Sequence, residues 1–278
     1  MIIWLASYPK SGNTLLRSII SSYIFSNDGE LKFKDLYKIS QFPNVDHFKN
    51  LNIDIFNDDV LFKNLLNAQK IINSDKKVYF FKTHSMFYEL GETIFTDLDN
   101  SLATIYIVRD PRNIVTSFSH HYSIPIDEAA DIMINKKKMI IKTNDNLSVL
   151  IGSWDYNYNS WKQFKRKRFL LIKYEDLIFK KRETIEIIFN FLIKLGIKEF
   201  EIDNHKLDNV IKSTDFKKMK NLEKKDNFRE SILDKNTGKN KDFFNLGPDN
   251  DWKKILNPEI KSEIEKAFQN EMKELGYM

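Results

Sequence analysis

The first twenty-five residues fix how this fold begins. Ile2 to Ala6 is a short apolar run, Tyr8-Pro9-Lys10-Ser11-Gly12-Asn13-Thr14 is a polar loop, and Leu15 to Phe25 is apolar with a helical period. That succession reads as strand, tight loop and helix. A helix N-terminus carries unpaired N–H groups and the positive end of the helix dipole, so a loop of small residues there can hold a phosphate. The loop is not a Walker A motif, which requires G-x-x-x-x-G-K-[ST]. Asn13 stands where the Lys would follow the Gly, and the loop's own lysine, Lys10, comes earlier. The chain reads as a phosphate binder of P-loop type with different chemistry.

The pattern continues as apolar strands alternating with helices. Strands are expected at Ile2–Ser7, Val78–Phe81, Leu102–Val108 and Phe169–Lys173, and helices at Thr14–Phe25, Arg112–His121, Leu147–Phe164, Arg182–Leu195 and Pro258–Leu275. The strands are near-continuous apolar runs, as a parallel sheet buried on both faces requires. The expected fold is therefore α/β: a single domain over residues 1–278, with a central parallel sheet flanked by helices, P-loop NTPase-like. Ligands of such sheets sit beyond the carboxyl ends of the strands. Residues 26–76, 123–146 and 215–250 are polar stretches expected to be loops over the site.

Composition narrows the classes. With 22 Phe and 11 Tyr in 278 residues the chain can build a core. It has no Cys, which excludes disulfides and Cys-based zinc sites and suits a reduced cytoplasmic setting. Pro9 and Lys10 interrupt the N-terminal apolar run before a signal peptide could form, and no run approaches a membrane span. The net charge of +5 fits an anionic ligand. The basic runs Lys136-Lys137-Lys138 and Lys162 to Arg168 read as solvated surface, and no nucleic-acid motif accompanies them.

Three later segments carry polar residues to strand ends. Lys82-Thr83-His84 follows the second strand, and a His there can be a general base or can simply bond a loop carbonyl. Arg109-Asp110-Pro111 follows the third, with Ser117 two turns into the next helix. Arg109 and Ser117 can grip a phosphate by guanidinium fork and hydroxyl. The bland alternative for Arg109 is a salt bridge to Asp110 or to a neighbour. A competing reading makes the strand and Asp110 a Walker B with magnesium on the carboxylate. Tyr174 ends the fourth strand, where an aromatic face can stack on a base.

Taken in order, these segments resemble the sulfotransferases that use 3′-phosphoadenosine 5′-phosphosulfate (PAPS). Gly152-Ser153-Trp154 and Trp161 resemble the family's Gly-Ser-Trp helix, a core-packing element. Ser213 to Met219 resembles its adenine-side segment, and Phe244 to Lys253 resembles its C-terminal loop and Asp-Trp-Lys. The resemblance implies sulfuryl transfer from PAPS to a hydroxyl or amine of a small-molecule or carbohydrate acceptor, with release of PAP and without a metal. It assigns His84 as base, with Lys10 and Lys82 near the transferring group. Lys10, Ser11, Gly12, Asn13 and Thr14 are then expected around the 5′-phosphosulfate, and Arg109 and Ser117 around the 3′-phosphate. Tyr174, Thr214 and Phe216 are expected at the adenine, with Gly247 in the closing loop.

One departure stands out. Asn245-Leu246 occupies the place of the family's Arg-Lys before the Gly, and Lys239, Lys241, Lys253 and Lys254 are the nearby candidates to replace it. The chain also begins at the first strand, without the extension that lines the acceptor pocket of cytosolic members, which implies a more open acceptor site. Two alternatives remain at this stage: a P-loop kinase or NTPase with a degenerate loop, and a non-catalytic nucleotide-binding module.

Overall fold

The computed structural model describes residues 1–135, 140–142, 145, 147–164, 168–226, 228–231 and 241–278. Its centre is a four-stranded, all-parallel sheet. The strands are β1 (Ile2–Ala6), β2 (Tyr79–Thr83), β3 (Ser101–Val108) and β4 (Phe169–Lys173), in the order β2-β1-β3-β4. Every residue of β1 is buried, so its period-2 alternation feeds two cores. Ile2, Trp4 and Ala6 face one, where the Trp4 ring meets Phe42, Phe81 and Phe95 at centroid distances of 5.3, 6.2 and 5.0 Å. Ile3 and Leu5 face the other, beneath Leu16, Ile19 and Ile20 of α1 (Asn13–Phe25) and near Phe189. Helices on both faces of a parallel sheet give the expected α/β fold.

The second face-covering helix, α2 (Pro111–Tyr122), follows β3. Asp110 caps it by accepting from the Arg112 N–H, and Pro111 takes a first-turn position where no donor is needed. The Arg112 guanidinium donates to Asp110, Glu265 and the Tyr277 carbonyl and lies 4.0 Å over the Trp252 ring. It ties the C-terminal helices to the sheet.

Several expected elements differ. Leu147–Phe164 is not one helix: Ser148–Leu150 pairs antiparallel with Ile140–Lys142, Gly152 turns the chain at φ 68°, and α3 (Trp154–Lys162) begins only after it. Trp154 and Trp161 are fully buried, as core packing requires. Pro258–Leu275 is broken into Pro258–Ala267 and Gln269–Glu274 at Phe268, whose ring packs 4.9 Å from Trp154. The stretches expected to be loops carry the helices Asp58–Lys63, Leu65–Ile72, Ile126–Asn135 and α4 (Phe216–Lys225). Their scattered Asn and Asp include caps rather than breakers: Asn57 accepts from the N–H of Asp59 and Val60, and Asp215 from that of Lys217. The run Lys136-Lys137-Lys138, Lys165 to Lys167 and Lys239 lie outside the described residues.

Candidate active site

Register brings the motifs together. Ala6 stands opposite Thr83 on one side and Tyr106 on the other, and Val108 stands opposite Lys173. Ser7, His84, Arg109 and Tyr174 therefore leave the sheet at one edge. At that edge lies a cavity of about 460 Å³ lined by Lys10, Gly12, Asn13, Thr14, Lys82, His84, Arg109, Ser117, Tyr174, Thr214, Phe216 and Gly247, among others. Of the residues that the resemblance assigns to catalysis and nucleotide binding, only Ser11 is outside this lining. It is buried, and its hydroxyl has no partner among the described residues. Asn13 lines the cavity but turns its side-chain amide inward, donating to the Leu5 carbonyl (2.8 Å) and the Ser7 hydroxyl (3.1 Å). Its side chain anchors the loop to β1, leaving the backbone N–H as the group an anion can meet.

The loop is held in a conformation that sequence reading does not reveal. Lys10 has φ 66°, unusual for a residue with a Cβ, and Gly12 has φ 99°. A Cβ on Gly12 would lie 2.4 Å from Cδ2 of Tyr174. That glycine is required by the fourth strand's aromatic, which covers the loop.

His84 is fixed by the opposite strand end. Its Nδ1 is 2.9 Å from the Ser7 carbonyl oxygen and 3.2 Å from the Ser7 hydroxyl. A carbonyl only accepts, so Nδ1 carries the proton and Nε2 keeps its lone pair. The His84 carbonyl accepts from Asn157 of α3 at 3.0 Å, and Tyr106 in turn donates to Asn157 Oδ1. Burial, followed by the neighbouring Lys82, pushes the imidazole pKa down to about 3, so the ring is neutral at pH 7. His84 bonds a loop carbonyl, as one of its two readings expects, and that bond sets the tautomer that the other, a general base, would need. Neither Ser7 nor Asn157 was legible as a partner.

Arg109 does not pair with Asp110. Its guanidinium donates to the carbonyls of Lys10 (3.2 Å) and Gly247 (3.3 Å), stacks 4.3 Å over the Tyr174 ring, and has a buried Nε without a partner among the described residues. Asp110 is spent on Arg112, which donates to both its oxygens, and it does not line the cavity. The Walker B reading therefore loses its carboxylate. Phe216 and Gly247 are in close contact: Gly247 has φ 55°, and a Cβ there would fall 2.1 Å from the ring. Thr214 donates its hydroxyl to Val210 of its own helix, so that oxygen is left to act as an acceptor.

None of the described lysines expected to replace Arg-Lys at 245–246 lines the cavity. Lys241 donates to the His120 carbonyl and the Ser123 hydroxyl, and Lys253 and Lys254 are exposed. Lys181 and Arg229 line it instead, and no motif marked either of them. Lys181 donates to the Thr214 carbonyl at 2.8 Å, and burial lowers its pKa to about 8. A further group was missed: Glu230 pairs with the buried Arg17 and lies 3.2 Å from the Lys82 ammonium.

Comparison with known proteins bears on the family and the fold. The sulfotransferase domain model matches residues 2–276. Cytosolic sulfotransferase 13 of Arabidopsis thaliana is 24% identical over 272 residues, covering 97% of this chain and 76% of that protein. Flavonol 3-sulfotransferase of Flaveria bidentis is 23% identical over 289 residues, covering 99% of this chain and 82% of that protein. Among solved structures, a mouse sulfotransferase in complex with PAP superposes with a TM-score of 0.60 at 20% identity, covering 98% of this chain and 84% of that one.

Proposed function

Since the chain belongs to the sulfotransferase domain family, we propose that it transfers a sulfuryl group from PAPS to a hydroxyl or amine of a small-molecule or carbohydrate acceptor through the residues gathered in this cavity. The observation that carries the reading is the single cavity shared by the glycine loop, the Lys82–His84 strand end and Arg109.

The residues suit such a ligand. Lys10 and Lys82 supply positive charge at the loop end, and the unpaired N–H groups at the start of α1 face the same place. Arg109, with Nε unspent, and Ser117 suit the 3′-phosphate. Tyr174, Thr214 and Phe216 form an aromatic and accepting wall for adenine, and Gly12 and Gly247 permit close approach. PAPS supplies the activated sulfuryl group. His84, neutral and with Nε2 free to accept, takes the proton from the acceptor. Lys10 and the loop amides stabilise charge developing on the leaving phosphate. The plant relative is named for a flavonol, a small hydroxylated acceptor. A cytosolic setting belongs to the same proposal. Among the described residues no helix is long and apolar enough to cross a membrane.

Thermal shift with PAP, against ATP plus magnesium, tests the nucleotide site. Saturation at about a hundred times Kd adds roughly 2.7 kcal/mol to the folded state. A shift with PAP alone is expected. A shift with ATP and magnesium alone would move the chain to the kinase reading.

A further inference from the structure

Glu230 occupies ground that the proposed function gives to a sulfuryl or phosphate group. Its carboxylate accepts from Arg17, from Lys82 Nζ at 3.2 Å and from Thr14 Oγ1 at 3.5 Å. Thr14 lies in the first turn of α1, and Lys82 directly precedes Thr83-His84 at the end of β2. Glu230 itself lines the cavity. Arg17, fully committed, also donates to the carbonyls of Leu36 and Ile39, at 3.4 Å and at 3.1 and 2.8 Å, so it cannot follow an incoming anion. Its charge and that of Lys82 hold the Glu230 carboxyl far below the usual carboxylate range. The group is therefore a permanent anion on an anion site.

We propose that Glu230 is a specificity-determining residue: an internal anion that holds Lys82 and Thr14 against small free anions and yields them only to a nucleotide anchored at Arg109 and Tyr174 as well. The inference rests on the nucleotide reading above. The Thr14 hydroxyl has one proton and cannot donate to a carboxylate and to a sulfuryl or phosphate oxygen at once, and two anions side by side on the Lys82 ammonium repel each other, so the two groups compete for the same ground. A tethered competitor acts at an effective concentration on the order of millimolar, which free sulfate or phosphate at lower concentration does not overcome. PAPS and PAP carry further contact groups for the Arg109 and Tyr174 end, and the energy gained there offsets the exchange.

The test is binding of inorganic sulfate and of PAP to wild type and to Glu230→Gln, by calorimetry on the full chain. The amide keeps the shape and gives up the charge. Sulfate affinity is expected to rise about tenfold or more, the worth of one charge-assisted contact, and PAP affinity to rise by a smaller factor. Unchanged or weaker sulfate binding in E230Q overturns the proposal, because a merely structural Glu230 would loosen the site when altered. The sulfate arm stands apart from the nucleotide reading: failure of both forms to bind PAP defeats that reading, while sulfate still decides the role of Glu230. Should E230Q not melt cooperatively, Glu230→Asp, which keeps the charge on Arg17 but shortens its reach to Lys82, is read the same way.

Discussion

The two ends of the cavity are built differently. At the loop end, Ser7, Lys82 and His84 lie in or directly after paired strands, and their places follow from the register of Ala6 with Thr83. Side chains there are bonded to backbone: Asn13 to Leu5, His84 to Ser7, Asn157 to His84. At the other end, Thr214, Phe216 and Gly247 lie on a helix terminus, a helix and a short turn outside the sheet. That end is held by ring packing against a glycine and by long basic side chains on carbonyls, Arg109 on Lys10 and Gly247 and Lys181 on Thr214. In the proposed reading the chemistry is placed by strand register, and the adenine side of the nucleotide grip by packing between distant segments. Substitutions at the two ends should therefore separate turnover from affinity.

The largest effect expected is at the register-built end. His84→Ala removes the base, and positioned general bases contribute about 10²–10⁴ in rate. Turnover should fall by that factor, with the Kd for PAP within about twofold of wild type, because the imidazole touches Ser7 and not the loop amides. If PAP binding fell as far as turnover, the two ends would not be separate. The next effect is at the packed end. In Gly247→Ala the added Cβ meets the Phe216 ring at 2.1 Å while φ is held at 55°. Strain of this kind costs of order 1–3 kcal/mol. PAP affinity should fall roughly tenfold, with turnover at saturating PAPS little changed, as steady-state kinetics would show. A loss of turnover without loss of affinity would reverse the assignment of the two ends.

The same contrast explains what the sequence disclosed. The glycine loop, Lys82–His84 and Arg109 were legible because each is a local string at a strand end, and parallel strands bring such ends to one edge whatever the loops do. The contacts that hold those strings in place were not. Arg17 meets Glu230 across 213 positions and Ser7 meets His84 across 77, and neither pairing leaves a local pattern. The short helices between residues 33 and 72 were read as loop because Asn and Asp weaken helix propensity in an interior and strengthen it at a cap, and the sequence alone does not say which. The helix expected at Leu147 gave way to a strand pairing with Ile140–Lys142, a tertiary choice that overrides periodicity. The grip at 245–246 was expected to be restored by neighbouring lysines. Lys181 and Arg229 line the cavity instead, and they come from outside that loop.

The last effect, a dependence on pH, probes Lys10, which touches both ends: its carbonyl accepts from Arg109, and its ammonium is influenced by Lys82. Burial first, and Lys82 second, bring its pKa down to about 7. An anion beside it favours the charged form and raises that value in the complex. Below pH 7 the ammonium is already charged in the free protein, so PAP binding takes up no proton there. Above pH 7 binding must recharge Lys10, and affinity should fall with pH by up to about tenfold per unit until the pKa of the complex is reached. Calorimetry in buffers of different ionisation enthalpy counts that proton between pH 7 and 9. Lys181, with its pKa near 8, and Lys82, whose pKa burial also lowers, are the further lining lysines that bear on this profile. Lys10→Gln separates them: the slope starting at pH 7 should vanish, and any fall that sets in only above pH 8 belongs to Lys181 at the adenine wall. A slope from pH 7 that persists in K10Q would mean that the loop lysine is not the charge the nucleotide meets, and the division between the two ends would have to be redrawn at Lys82.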